Sequence, residues 1–444
     1  MTTLLKNCAY VVTLDADASV LRDVDVLIDA GRIARIIDAR DPLAEPIETL
    51  DETIDCSRRL VMPGLVNLHT HLAMTLLRGL AEDVDLDGFL TRVWAAEGAI
   101  MDAATVRLGT SLGALESLRA GTTMAADMYF HPDAGRAGAA EVGLRLATGP
   151  VLFDGPGPDG LAWERRLADV EAWPALARTL GGPDAPDLAC PHSTYLVSPG
   201  HLADLGQVVR VWRRPLIHTH VSETAAENAQ VIAQTGRRPV QVLADAGLLD
   251  GTIGLVFGHG VHLDLASDPA LIGGHATIAH CPASNLKLAS GALHWAASVS
   301  AGLALGIGTD GTSSSNDLDL WVAMRLAAML ARLTSGRPDA VTSVDILRAA
   351  TQVGARALGM GDRLGSVEVG KDADLLLIDL DAEHLTPVHD VHALLVFAAG
   401  RSDVSDVFVA GERVIADRVS TTVDAEALRA QSRERAAAAV EALP

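Results

Sequence analysis

The sequence predicts an α/β protein: a (β/α)8 barrel with a small β-sandwich domain formed by both chain ends. Three observations predict it. The middle of the 444-residue chain alternates short apolar runs with helical stretches, the pattern of parallel strands joined by crossover helices. Both ends instead alternate apolar and polar residues, the pattern of half-buried strands and hairpins. The polar residues that interrupt the central pattern fall at the C-terminal ends of its strands, where such barrels carry their active sites.

In chain order, residues 1–58 read as strands and hairpins, for example "DVDVLIDAGRIARIID" with a turn at Ala30–Gly31. The run from Leu60 to Val66 reads as a buried strand that closes on His69, giving a first barrel strand over 60–69. Further strands are expected over 122–128, 146–154, 187–193, 215–223, 254–262, 276–282 and 303–310. Helical pattern lies between most of them, as in "AATVRLGTSLGALESLRAG". The end of the chain returns to strand pattern in "DADLLLIDL" and "SDVFVAGERVIADR", and closes with a helix, "DAEALRAQSRERAAAAVEAL". The expected division is 1–58 and 371–444 for the sandwich and its terminal helix, with 59–370 as the barrel.

Composition narrows the ligand. Hydrophobic residues make up 49% of the chain, aromatics only 3%, and the formal net charge is −22. That charge disfavours nucleic acid or any polyanion. The four cysteines are scattered and none forms a C-x-x-C pair, so neither a zinc ribbon nor a disulfide framework is expected. The start lacks the basic and apolar regions of a signal peptide, and no apolar run reaches the length of a membrane span. The expectation is a cytoplasmic homo-oligomer, dimer or tetramer, acting on a small molecule.

The histidines carry the chemistry. Of the chain's 15, His69 and His71 end the first expected strand, His192 the fourth, His218 and His220 the fifth, His259 and His262 the sixth, and His280 the seventh. Asp310 ends the eighth. In a strand, residues i and i+2 share a face, so His69 and His71 point together into the barrel mouth. Two imidazoles there, with a later histidine and an aspartate, suit Zn²⁺ or Fe²⁺, with zinc preferred. Of the fifth-strand pair, His220 lies nearer the mouth and opens the string His220-Val-Ser-Glu223. It is taken as the ligand, and His218 as a residue behind it.

At this point the chain resembles the deaminase branch of the amidohydrolase superfamily. The matching pieces are "PGLVNLHTHLAMTLLRG", "HVSET", "GHGVHL", "HCPASNLKLASG", "GTDG" with "SSNDLDLWVAMRLAA", and "LGSVEVGKDADLLLID". Within that branch it is similar to the S-adenosylhomocysteine/5′-methylthioadenosine deaminases, and shares much with chlorohydrolase and triazine aminohydrolase relatives. The resemblance implies one metal per chain, held by His69, His71, His220 and Asp310. Binuclear relatives use a bridging lysine, and the fourth strand here ends in His192 with no lysine. The implied reaction adds activated water to an amine-bearing ring carbon. Asp310 accepts the water's proton, Glu223 protonates the ring nitrogen and then the departing ammonia, and His259 orients the nucleophile. His192 matches a histidine that contacts substrate, and Glu97 a residue that binds ribose hydroxyls. His280 and Asn285 are expected to shape a loop. Where the nucleoside deaminases carry an arginine near the third strand, this chain reads Thr148–Gly149–Pro150, and Arg165 or Arg166 is the nearest substitute.

These features predict a zinc aminohydrolase of an adenine nucleoside. The alternative is a triazine, pterin or guanine-like ring, or chloride displacement, on the same machinery. A binding protein on an inactive scaffold is disfavoured because every expected ligand and Glu223 is present. A cyclic-amide hydrolase would want the missing lysine.

Overall fold

A computed structural model describes residues 1–38, 47, 49–84, 86–271 and 275–441. Its centre is the expected parallel barrel. Leu65–Thr70 pairs with Thr122–Asp127, which pairs with Arg145–Ala147. Val151–Leu152 pairs with Cys190–Pro191, and single bridges at Thr148–Asp187 and Ala189–Ile217 carry the sheet onward. Leu216–Val221, Gly254–His259, Ala276–His280 and Ala304–Ile307 complete it.

Two expected strands are broken, each for a steric reason. The 146–154 stretch divides at Gly149–Pro150. A side chain at Gly149 would stand 1.6 Å from the Leu188 carbonyl oxygen, so the backbone there passes hard against its neighbour. The 60–69 strand is two strands in different sheets. Arg59–Pro63 lies in the sandwich, between Leu375–Asp379 and Tyr10–Val12, and only Leu65–Thr70 belongs to the barrel. The chain crosses over at Gly64, where a Cβ would lie 2.2 Å from Thr123 Oγ1. Both halves are buried, so the apolar run shows no seam.

The seam between the last and first barrel strands is closed largely by side chains. Asn67 Nδ2 donates to Thr309 Oγ1 at 2.7 Å, and Asn67 Oδ1 accepts from Thr309 N at 3.1 Å. Asp310 N donates to the His69 carbonyl at 3.0 Å.

The sandwich draws on both chain ends, as expected. A four-stranded sheet, in the order Arg32–Asp38, Val24–Asp29, Thr3–Cys8, Glu52–Asp55, faces a seven-stranded one that includes Arg59–Pro63, Leu375–Asp379 and Val404–Val409. Leu5, Val26, Ile28, Leu375, Leu377 and Phe408 fill the space between them. Arg145, fully buried at the start of the third barrel strand, ties the two bodies together. It donates to both oxygens of Asp374, at 2.9 and 3.0 Å, and to Asp372 at 3.0 Å. The terminal helix Ala425–Glu441 lies on the barrel side, where Arg435 donates to Thr105 Oγ1 and to the Ile100 carbonyl. Among the described residues, no helix is long and apolar enough to cross a membrane.

Candidate active site

Three strands deliver imidazoles to one point. The ring centroids of His71, His220 and His259 lie 4.9, 4.8 and 5.2 Å from that of His69. Asp310 follows the strand Ala304–Ile307. Its Oδ1 is 3.5 Å from His69 Nε2 and 3.2 Å from His71 Nε2. His220 Nε2 is 3.4 Å from His71 Nε2.

Each ring is aimed from behind by its other nitrogen. His71 Nδ1 donates to the Met128 carbonyl at 2.6 Å, and His220 Nδ1 to the His192 carbonyl at 2.8 Å. A carbonyl only accepts, so the proton sits on Nδ1 and Nε2 presents a lone pair inward. His69 Nδ1 lies 2.7 Å from His218 Nε2, which places His218 behind His69. His69 Nε2 is buried with no hydrogen-bond partner. Orphaned polar atoms of this kind call for an explanation, and a cation supplies one. The ligand atoms of His69, His71 and Asp310 lie within 4.8 Å of one another, as do those of His69, His220 and His259. Imidazoles with one carboxylate form a donor set that fits zinc.

Electrostatics agree with a positive charge at this point. Burial opposes ionisation of Asp310, yet the imidazoles of His69 and His71 hold its carboxyl well below the usual range. In turn, Asp310 pushes His71 up to about 9 against the effect of burial, so a cation held at Nε2 takes the place of a proton there. Burial lowers His69 to about 4 and His220 well below its ordinary value, which keeps them neutral and able to ligate. The carboxylate itself is fixed. Oδ2 accepts from Ser284 Oγ at 2.6 Å and Ser314 Oγ at 2.7 Å, and Oδ1 from Gly311 N at 2.7 Å. Asp310, His259 and Ser222 all have left-handed backbone, with φ of 63°, 71° and 52°. Strain of this kind gathers at functional sites.

Glu223 and His259 form a second pair beside the first cluster. His259 Nε2 is 3.7 Å from Glu223 Oε2, and Ser290 Oγ donates to Glu223 Oε1 at 3.4 Å. Burial raises Glu223. Burial would lower His259, but the carboxylates of Glu223 and Asp310 raise it. Glu227 pins the turn that carries Glu223, accepting from the backbone N–H of Ser222 at 2.9 Å and of Glu223 at 2.6 Å.

The cleft above these groups encloses a cavity of about 60 Å³. Six of the chain's fifteen Trp, Tyr and Phe residues line it: Phe89, Trp94, Tyr129, Phe130, Phe153 and Tyr195. In a chain this poor in aromatics, that concentration makes a stacking surface. Glu97 lies on the wall and accepts from Tyr129 Oη at 2.6 Å. Burial pushes its carboxyl up to about 7. The His192 ring stands 5.2 Å from Phe153 and 4.5 Å from His220.

Comparison with known proteins places this geometry. The model of the amidohydrolase family matches residues 60–414. The chain belongs to the amidohydrolase family. A curated relative from Halobacterium salinarum, named 5-methylthioadenosine/S-adenosylhomocysteine deaminase, is 40% identical over 422 residues, covering 93% of each chain. One of the same name from Moorella thermoacetica is 38% identical over 390 residues, covering 87% of this chain and 88% of that one. Among solved structures, an adenosine deaminase from Xanthomonas campestris with bound zinc superposes with a TM-score of 0.93. It has 35% identity, over 99% of this chain and 98% of that one. An atrazine chlorohydrolase from Arthrobacter aurescens, at 24% identity and a TM-score of 0.86 over 98% and 100% of the chains, shares the fold.

Within this amidohydrolase, His71, His220, Asp310, Glu223, His259, Glu97 and His192 all line the one cleft, and His69 packs against its histidines. The substitute arginines do not reach it. Arg165 is exposed and paired with Asp169, and Arg166 is buried behind Phe153 and paired with Asp159. Asn285 does more than shape a loop, since its Oδ1 lies 2.9 Å from His259 Nδ1. Sequence reasoning missed Ser284, Ser314, Tyr129 and Glu227. Only Glu227 carried a signal, as the fourth residue of the capping motif "TAAE", in which Thr224 Oγ1 accepts from Glu227 N at 3.0 Å.

Proposed function

We propose that this amidohydrolase is a deaminase, removing the exocyclic amine of an adenine nucleoside as ammonia with one divalent cation, zinc, held by His69, His71, His220 and Asp310. The observation that carries this reading is the imidazole cluster. Two rings are held by carbonyls at Nδ1 and a third abuts His218, while their Nε2 atoms gather beside a carboxylate anchored by two serines. The zinc-bound adenosine deaminase neighbour and the relatives named for 5-methylthioadenosine support the metal and the ring.

The cation, when bound, supplies a water that loses its proton near neutral pH. The remaining steps belong to the chain. Asp310 accepts that proton, its Oδ2 held in place by Ser284 and Ser314. His259, whose imidazole the carboxylates of Glu223 and Asp310 raise against burial, stabilises the oxygen that adds to the ring carbon. Glu223, buried beside His259, delivers a proton to the adjacent ring nitrogen. As the C–N bond breaks, a proton relayed through these carboxyls leaves with the ammonia. The aromatic walls stack the purine, Glu97 accepts from the ribose hydroxyls, and His192 contacts the substrate from the opposite side of Phe153.

The test is an ammonia- and chloride-release screen on protein of measured metal content, over adenosine, 5′-methylthioadenosine, adenine, guanine, pterins and chlorotriazines. Ammonia from the adenine nucleosides is expected. Turnover confined to free bases, pterins or triazines would overturn the nucleoside reading.

A further inference from the structure

A second cavity lies at the other end of the barrel strands. It encloses about 590 Å³ and is lined by segments that lead into two of those strands. Residues 180–187 run toward Cys190–Pro191, and Trp212–Arg214 run into Leu216–Val221. The opposite ends of the same strands carry His192 and His220 to the cleft. The 180–187 segment is fixed from two sides. Arg136 donates to Asp187 Oδ1 at 2.8 Å and to the Ala185 carbonyl at 2.5 Å, and Arg145 donates to the Asp184 carbonyl at 2.7 Å.

Charge in this cavity runs against that of the whole molecule. The chain has 57 acidic residues and only 35 Lys and Arg, yet four arginines and two aspartates line the cavity. Both aspartates are already paired, Asp187 with Arg136 and Asp184 with Arg363. Arg178, Arg213 and Arg214 remain. Among the described residues, none of these three forms an ion pair with a carboxylate. Arg178 and Arg214 act on Asp187 and Asp184 only at longer range, and Arg214 Nη1 rests 3.1 Å from Met360 Sδ. The net charge of −22 opposes anions over the surface as a whole. Salt screens that repulsion beyond about 8 Å, so the local excess of cations governs the cavity.

A buried donor is the second, independent observation. Trp212 lines the same cavity and is 9% exposed, and its indole N–H is buried with no hydrogen-bond partner. Such orphans call for an explanation. Gly181 and Gly182 leave bare backbone at the wall beside it. Guanidinium forks and an unfilled N–H suit phosphoryl oxygens. One phosphoryl group carries about 1.5–2 negative charges, so three free guanidiniums are balanced by two such groups rather than one.

We propose that this cavity binds a small molecule bearing two phosphoryl groups, held by Arg178, Arg213 and Arg214 against Trp212. The site is separate from the cleft, and its occupant is independent of the ring that the cleft accepts.

The experiment is titration calorimetry on the metal-loaded full chain with three probes: fructose 1,6-bisphosphate, uridine 5′-diphosphate and inorganic phosphate. None carries an adenine ring. At least one doubly phosphorylated probe is expected to bind, about tenfold or more tighter than phosphate, with an affinity that falls as salt is added. The tighter of the two identifies the source as a sugar bisphosphate or a nucleoside diphosphate. Arg213→Gln should weaken that probe by about tenfold, the loss of one charge-assisted contact, and Arg178→Gln with Arg213→Gln should abolish binding. Both side chains belong to exposed residues, so thermal denaturation and probe-free ammonia release should stay at wild-type values. His69→Ala, which disrupts the cleft, should bind the probe as the wild type does. The proposal is overturned if neither doubly phosphorylated probe binds at millimolar concentration, if phosphate binds as tightly as both, or if the double variant binds unchanged. It is also overturned if His69→Ala loses the probe, which would place it in the cleft. A wild type that binds no probe, with sedimentation altered in the double variant, would instead assign the arginines to an acidic face of a second copy.

Discussion

Replacing His218 with Phe separates a ligand from the residue that aims it. His218 is fully buried, and its Nε2 sits 2.7 Å from His69 Nδ1. For His69 to offer a lone pair at Nε2, its proton must reside on Nδ1 and be donated to His218. Phe fills the ring volume with a slightly larger ring, which avoids the cavity that His218→Ala would leave, but it cannot accept. The proton of His69 then favours Nε2, where Asp310 Oδ1 waits at 3.5 Å, and that tautomer cannot bind a cation. Loss of such an orienting partner typically weakens metal binding about 10–100-fold, or about 1.4–2.8 kcal/mol. The assay is competition with a chromophoric chelator, run beside His69→Ala and His220→Ala, which should lose stoichiometric metal outright. Unchanged affinity in His218→Phe would refute the tautomer argument. Loss as complete as in His69→Ala would make His218 itself a ligand.

Glu223→Gln retains metal and fold while kcat falls by roughly 10²–10⁴, the usual contribution of a positioned acid–base group; near-normal turnover would remove Glu223 from the mechanism. Glu97→Ala lowers kcat/KM for adenosine far more than for free adenine, because only the nucleoside has hydroxyls to engage the buried carboxyl; an equal effect on both would place Glu97 outside ribose recognition. Arg145→Met leaves Asp374 buried with only the Ala410 amide as partner and costs about 3–5 kcal/mol by urea denaturation; adding Asp374→Asn should recover part of this. Acid destabilises the fold partly through His280, which burial lowers to about 3. The unfolded chain takes up a proton near pH 6.5 that the folded chain refuses. Stability is therefore full above that pH and lost on descent, by about 2 kcal/mol at about pH 5. His280→Gln should show a correspondingly shallower acid limb in urea midpoints.

Much of the site was legible because its chemistry sits on strand ends, where pattern and position coincide. His69 and His71 follow an apolar run and share a face by simple alternation, and His220, His259 and Asp310 close later runs of the same kind. What could not be read falls into three physical classes. Backbone carbonyls such as those of Met128 and His192, which set the tautomers of His71 and His220, have no sequence signature. Loop residues such as Ser284 and Ser314 look like any polar turn until the fold brings both hydroxyls to one carboxylate oxygen. The change of sheet at Gly64 is hidden because Arg59–Pro63 and Leu65–Thr70 are apolar for different reasons, one packed in a sandwich and the other in a barrel. Arg145 belongs with this last class. Its partners Asp372 and Asp374 lie more than two hundred residues away, and only the folded chain shows that the three form one buried group.

The barrel seam and the proposed metal site turn on the same residue. Asp310 N donates to the His69 carbonyl across the gap between the last and first strands, and Thr70 Oγ1 donates to the Asp310 carbonyl at 3.2 Å. Asn67, two residues before His69, and Thr309, next to Asp310, exchange two further bonds. The backbone that closes the barrel therefore carries both His69, a proposed ligand, and the carboxylate it faces. With the seam open, Asp310 is separated from His69 and His71 and the donor set is incomplete. A cation that binds only the closed arrangement stabilises closure by the free energy of its own binding. Weakening Asn67–Thr309 and removing the metal thus act on one equilibrium, so their effects on stability should be coupled rather than additive. The left-handed backbone at Asp310 fits the same picture, since one residue must both bond to the first strand and turn its carboxylate back over it.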